Sequence, residues 1–209
     1  MAKKFTITLG RECGAGATLI AQALSEDLHI PYYDKDIFRM VSDRSGVLEE
    51  FFHVNNERPG NNLLYKIIKE LNPRDQKPSL GKDIVSPDKL FRFQSELIRE
   101  LAENETCMII GRCSDYILRD HDHVVKVFVC GDPESKVRRM MNTFSLERNA
   151  AIDLIRDTDK QRRKYYNYYT GKTWDAAVNY DLCLNTGSMT IEEGAEMIKC
   201  YLKQKGYID

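Results

Sequence analysis

Apolar and polar positions along this chain switch between two rhythms. Lys4 to Leu9 alternates with the period of two that a strand requires, Gly10 to Ala17 is a run of small residues, and Thr18 to Leu28 spaces Leu19, Ala23, Leu24 and Leu28 as a helix does. His29 to Tyr33 predicts a short second strand, after which Asp34 is placed to cap a helix through Ile37, Met40 and Val41. Thr106 to Ile110 and Val124 to Cys130 are continuous apolar runs, the pattern of strands covered on both faces of a parallel sheet, with a short helix around Asp115 to Leu118 between them. Ser86-Pro87-Asp88 and Asp132-Pro133 each set a cap and a proline at a helix start, the first helix running through Phe91, Leu97, Ile98 and Leu101. From Ser145 to about Tyr169 the chain is polar, and Leu146, Ile152 and Ile155 repeat only weakly, which predicts an exposed helical stretch. Tyr180 to Leu184 is the last strand expected, and Thr190-Ile191-Glu192-Glu193 is a capping-box signature before a helix through Ile198 and Leu202.

Between about Val47 and Pro87 this order breaks down. Asn55-Asn56, Pro59-Gly60-Asn61-Asn62, Pro73, Pro78 and Gly81 interrupt every pattern except an amphipathic stretch at Leu63 to Leu71, so the segment reads as a mobile insertion. The remaining five strands alternate with helices and predict an α/β fold, an open parallel sheet covered on both faces in three α/β/α layers. Ligands of such sheets sit beyond the carboxyl ends of the strands, so the loops after Leu9, Tyr33, Ile110 and Cys130 are expected to converge on one crevice.

At 209 residues the chain suits one folding unit with inserted segments. Its 31 Lys and Arg against 32 Asp and Glu leave a net charge of -1, so no nucleic-acid partner is expected and any bound anion must meet locally clustered cations. No apolar run approaches the roughly 20 residues of a membrane-spanning helix, and the amino terminus turns directly into a strand pattern; a cytoplasmic protein with no membrane partner is expected, as monomer or homodimer. The six cysteines contain no Cys-x-x-Cys pair and read as reduced, packed thiols. His121-Asp122-His123 lacks the further ligands that a zinc site would need.

The chemistry-bearing segment is Gly10-Arg11-Glu12-Cys13-Gly14-Ala15-Gly16-Ala17-Thr18. Its glycines let backbone N–H groups approach an anion, and it opens onto a helix N-terminus whose dipole favours negative charge. Against the P-loop pattern, Gly16 holds the second glycine position and Thr18 the magnesium-binding hydroxyl, while Ala17 stands where the lysine belongs and Arg11 where the first glycine belongs. A phosphate cradle and a plain glycine turn both fit this segment taken alone. If it is a cradle, Arg11 is the expected replacement for the lost charge, because a guanidinium can clamp phosphate with two bonds.

Gly10 to Thr18, Pro31-Tyr32-Tyr33-Asp34, Gly111-Arg112-Cys113-Ser114-Asp115-Tyr116, Asp159-Lys160-Gln161-Arg162 and Tyr180-Asp181-Leu182-Cys183-Leu184-Asn185-Thr186 occur in the order found in cytidylate kinase-like proteins, and over nearly its whole length the chain resembles that family. The resemblance implies a P-loop NTPase-type architecture of nucleoside-monophosphate kinase form. It comprises a core (1–46, 87–144 and 176–209), a monophosphate-binding insertion (about 47–86) and a helical lid (about 145–175). It implies ATP and Mg²⁺ as cofactors, nucleotide binding at Gly14, Ala15, Gly16, Ala17 and Thr18 with Mg²⁺ on Thr18, and small-molecule nucleotides as partners. Acceptor contacts are implied at Asp34, Arg39, Arg92, Gln94, Gly111 and Arg112. Ile110 and Cys113 stand where true cytidylate kinases flank the Gly-Arg pair with aspartates.

Arg148, Arg156, Arg162 and Arg163 cluster with Asp159 on the polar stretch, and Asp159 has the three- and four-residue spacing to support Arg162 and Arg163. By residue pattern alone this is a solvated face laced with weak ion pairs or a set of guanidinium groups able to follow phosphoryl charge. The resemblance implies the second, a lid in which Arg156, Asp159, Arg162 and Arg163 act with Arg11 in catalysis. Arg138 and Arg139 point to the nucleotide in that family and are equally ordinary as surface charge. Tyr165, Tyr166, Tyr168, Tyr169 and Trp174 are expected to pack lid against core. The reading is ATP-dependent phosphoryl transfer to a nucleoside monophosphate, CMP or dCMP. A nucleotide-binding sensor with little turnover and a kinase for a non-nucleotide acceptor are the alternatives.

Overall fold

The computed structural model describes residues 4–34, 37, 40 and 87–209. The insertion expected over residues 47–86 and Arg39, an acceptor contact expected from the resemblance, lie outside them. In β1 (Thr6–Arg11), Ile7 and Leu9 alternate with Thr6 and Thr8, and all four are buried, which places the strand at the centre of the sheet. β1 pairs on one side with β3 (Cys107–Ile110) and on the other with β4 (Val124–Cys130). β2 (Tyr32–Tyr33) lies outside β3 and β5 (Leu182–Asn185) outside β4, giving the all-parallel order β2-β3-β1-β4-β5. The winding reverses at β1, so the loops leaving β1, β3 and β4 border the crevice in which such sheets hold ligands.

Side-chain alternation sends each strand's residues to two separate cores. Ile7, Leu9, Met108, Ile110 and Val127 meet Ile20 and Leu24 of α1 (Ala17–Leu28) and Ile198 and Leu202 of α6 (Ile191–Gln204). On the other face, Ile109 and Phe128 meet Leu97 and Ile98 of α2 (Pro87–Asn104), Ile117 of α3 (Ser114–Ile117), Tyr165 and Tyr166 of α5 (Arg148–Thr170), and Trp174. Each fully buried Ile or Leu contributes about 1.5–3 kcal/mol through area removed from water. α4 (Pro133–Phe144) begins as its sequence predicts, with Pro133 in its first turn and Asp132 Oδ1 accepting from Ser135 N at 3.0 Å. The capping box of α6 closes in both directions, Glu193 N to Thr190 Oγ1 at 3.1 Å and Thr190 N to Glu193 Oε2 at 2.8 Å.

The long polar helix corrects its sequence reading. α5 was expected to be exposed, yet it buries Ala151, Ile155, Asp159, Tyr165 and Tyr166. Ala151 and Ile155 pack with Val137 and Met140 of α4 and with Cys13, a third cluster directly beneath the glycine loop. A small alanine and hydroxyl-tipped aromatics add little to a hydropathy pattern but pack well. Among the described residues, no helix is long and apolar enough to cross a membrane.

Candidate active site

The glycine loop leaves β1 and enters α1 through two left-handed residues, Gly14 (φ 76°) and Gly16 (φ 86°). Gly14 is also needed for space, whereas at Gly16 the side chain of Ile191 would have to move. A Cβ on Gly14 would sit 2.9 Å from the Lys136 carbonyl oxygen, and one on Gly16 2.7 Å from Ile191 Cδ1. Gly16 caps α1 without a side chain, so the first N–H groups of the helix stay available to a ligand. Thr18 is exposed in the first turn, whereas Ala17 is buried. The loop is braced from three sides. Thr186 Oγ1 donates to the Ala15 carbonyl at 2.7 Å, Arg139 donates to the Gly14 carbonyl, and Cys13 N donates to Asp159 Oδ1 at 2.7 Å. Burial pushes the Cys13 thiol up, and it packs with Val137, Met140, Ala151 and Ile155.

Among the described residues, two clefts flank the loop. One, of about 340 Å³ and open to solvent, is lined by Ser135, Arg138, Arg139, Asn142, Thr186, Gly187 and Met189. Burial, and then the charge of neighbouring Arg138, pulls Arg139 below the ordinary arginine value, so an anion beside these cations would be welcome. The other is a narrow cleft of about 20 Å³ over the ends of β1 and β3, where Arg11, Arg112 and Arg162 meet a wall of Tyr165, Tyr166, Trp174 and Tyr180.

Asp34, just after β2, ties two arginines of the second cleft together, with Arg11 Nη2 at 3.5 Å and Arg112 Nη2 at 4.0 Å from its Oδ1. Gly111, Arg112 and Cys113 are left-handed in succession, with φ of 71°, 61° and 55°. For the two residues with side chains this costs on the order of 1–2 kcal/mol each. The turn is held by Gln94 Nε2 donating to the Arg112 carbonyl at 3.2 Å and by Ser114 N donating to the Gly111 carbonyl at 3.0 Å. Behind it, the Tyr166 hydroxyl donates to Asp115 Oδ2 at 2.6 Å, and burial raises the Asp115 carboxyl above its usual range.

Arg162 links the second cleft to the loop. Its Nη1 donates to the Arg11 carbonyl at 3.3 Å and lies 3.7 Å from Asp159 Oδ1. Asp159 is 4 % exposed, and burial raises its carboxyl against the opposing pull of Cys13 N–H, Arg162 and Lys136.

The Cytidylate kinase-like family matches residues 6–188 of the chain. The chain belongs to that family. No curated protein sequence matches it. Among solved structures, this cytidylate kinase-like chain is similar to an uncharacterized protein from Eubacterium ventriosum ATCC 27560, at 25% identity and TM-score 0.69, over 96% of this chain and 99% of that one. It is also similar to shikimate kinase from Bacteroides thetaiotaomicron (16% identity, TM-score 0.54, 95% and 98% covered). A shikimate kinase from Acinetobacter baumannii in complex with shikimate follows at 14% identity and TM-score 0.51, with 98% and 96% covered. The likeness to the shikimate kinases is one of fold, that of P-loop kinases.

Measured against this cytidylate kinase-like geometry, the residues expected at the site fall into groups. Gly14, Ala15, Gly16, Ala17 and Thr18 form the loop, and Arg138 and Arg139 line the cleft on its outer side. Asp34, Gly111, Arg112 and Gln94 come together on the inner side. Arg11 joins that inner group rather than reaching across the loop, because Asp34 draws its guanidinium to the end of β2. Arg156 is paired with Asp153 and Asp157 on its own helix, and Arg163 with Asp175 at 3.1 Å while lying over the Trp174 ring. Arg92 is bound to Glu96 on an exposed face. The sequence reading missed the pair formed by Glu12 of the loop and Lys136 beneath it, joined at 2.8 Å. Glu12 was visible as a charge inside a glycine loop, but nothing in the spacing of α4 singled out Lys136.

Proposed function

We propose that this chain transfers the γ-phosphoryl group of ATP to a nucleoside monophosphate, CMP or dCMP. One observation carries the reading: three guanidinium groups, Arg11, Arg112 and Arg162, line a single cleft that opens beside a glycine loop and helix N-terminus. An acceptor that already bears a phosphate needs cations to hold it and no base to deprotonate it, which matches a cleft rich in arginine.

In this reading the loop N–H groups and the α1 dipole hold the donor phosphates, and the outer cleft with Arg138 and Arg139 takes the rest of the donor. The exposed Thr18 hydroxyl, at the head of α1, fits a ligand of Mg²⁺, which when bound supplies positive charge to the donor phosphates. Arg11 and Arg112, oriented by Asp34, hold the acceptor phosphate. The bond between the γ-phosphorus and the β,γ-bridging oxygen breaks as an acceptor phosphate oxygen bonds to the same phosphorus, leaving ADP and a nucleoside diphosphate. Arg162, set between loop and cleft, follows the charge on the equatorial oxygens. The aromatic wall of Tyr165, Tyr166, Trp174 and Tyr180 keeps water from competing.

The test is ADP release from ATP and Mg²⁺ with CMP, dCMP, UMP, AMP and GMP offered separately. Turnover with CMP or dCMP above the other acceptors is expected. Calorimetric ATP binding without turnover on any monophosphate would overturn the reaction and favour a nucleotide sensor or a non-nucleotide acceptor.

A further inference from the structure

Lys136 takes no part in the reaction described above, yet it occupies the floor of the phosphate loop. Its ammonium lies 2.8 Å from Glu12 Oε2 and 4.0 Å from Asp159 Oδ2, and its side chain is only 12% exposed. Glu12 Oε2 also accepts from Gly131 N at 3.2 Å, and Asp159 Oδ1 accepts from Cys13 N at 2.7 Å. Two carboxylates, one from the loop and one from α5, thus crowd the place where a triphosphate is to be attracted. The loop itself offers Ala17 where a lysine would counter them.

We propose that Lys136 is the positioning residue that makes this lysine-free loop usable. It counters the Glu12 charge in the loop, shares with Arg162 the balancing of Asp159, and ties the loop to α4 and α5. This rests on the reading of the loop as a donor-phosphate site. Arg11 does not fill the role in this geometry, because its guanidinium lies with Asp34 in the inner cleft.

The physical signature is dependence on ligand charge. An uncompensated carboxylate within about 8 Å of a phosphate lowers affinity by on the order of tenfold per unit of phosphate charge. A lesion of folding alone weakens all nucleotides alike.

The experiment is calorimetric titration of ATP and of ADP, with Mg²⁺, into the full chain and its variants. Lys136→Met is expected to weaken ATP by about tenfold or more and ADP by less, and Glu12→Gln added to it to bring ATP back to within about threefold of the unaltered chain. Equal losses for ATP and ADP, no loss, or no recovery in the double variant would overturn the proposal. If Lys136→Met does not fold, Glu12→Gln alone carries the test: ATP affinity should rise more than ADP affinity, and a fall or an equal change overturns it. A Lys136-dependent preference for ATP in a chain that turns over no monophosphate would break the proposed reaction and uphold this inference. Turnover with an indifferent Lys136 would do the reverse, and an unaltered chain that binds neither nucleotide refutes both.

Discussion

Arg156 and Arg162 stand on the same helix, the first 64% exposed and paired with Asp153 and Asp157, the second 16% exposed between Asp159 and the Arg11 carbonyl. In the first half of α5 the buried stripe is Ala151 and Ile155 against α4, so the charges there point to water. In the second half the buried stripe includes Asp159, Tyr165 and Tyr166, so charge is carried into the loop and the cleft. An exposed pair contributes only about 0–1 kcal/mol, whereas a cation in a partly buried, hydrogen-bonded setting acts through a lower effective dielectric. The contrast teaches that helical phase, rather than residue type, decides which arginines of this helix reach the loop and the cleft.

The largest effect is expected at Arg162. Arg162→Met should lower kcat by roughly 10³-fold, as removal of a preorganised charge from a phosphoryl-transfer site does, with the chain still folded but less stable because buried Asp159 loses a counter-charge. A loss under about tenfold in the ADP-release assay would erase the difference between the two halves of the helix. Arg11→Ala separates the donor and acceptor sides. With its guanidinium at Asp34, the acceptor KM should rise by about 10- to 100-fold and the donor KM should stay within about threefold. The opposite split would return Arg11 to the role of the missing lysine.

The buried end of α5 also makes a stability prediction. Tyr166→Phe removes the hydroxyl that donates to Asp115 and should cost about 1–3 kcal/mol in urea unfolding. Because burial raises the Asp115 carboxyl, the folded chain keeps that proton to higher pH than the unfolded chain does. Its contribution is therefore most favourable below the ordinary carboxyl range and declines as pH rises through its raised value. Asp159 shifts in the same direction and adds to the decline. Asp115→Asn should flatten this slope above the ordinary carboxyl range, and an unchanged slope would show that the carboxyl titrates normally. The smallest effect belongs to the exposed half: Arg156→Ala should change kcat by less than about twofold and stability by less than about 0.5 kcal/mol.

Much of the frame was legible from local signals. The period-two strands, the glycine loop, the Asp132-Pro133 helix start and the Thr190 capping box are set by residues close in sequence, and each appears where its pattern predicted. Convergence of the loops after β1, β2, β3 and β4 followed from parallel topology, and the Arg11–Asp34, Arg112–Asp34 and Gly131–Glu12 contacts realise it. The destination of individual charges was not legible. Arg11 ends β1 at the mouth of the glycine loop, where its long side chain could reach either way, and only the approach of Asp34 decides the direction. Lys136 occupies an ordinary helical position and gains its meaning from Glu12 and Asp159, residues remote from it in sequence.

By itself, then, the amino-acid order determined the α/β architecture, the family and the phosphate-loop frame, because backbone periodicity, glycine conformation and helix capping act over a few residues. Tertiary structure alone decided which arginines face the loop, which carboxylates lie beneath it and which lysine meets them. Those choices depend on distance and burial across the sheet, and the strength of a charge is set by its surroundings rather than by its neighbours in the chain.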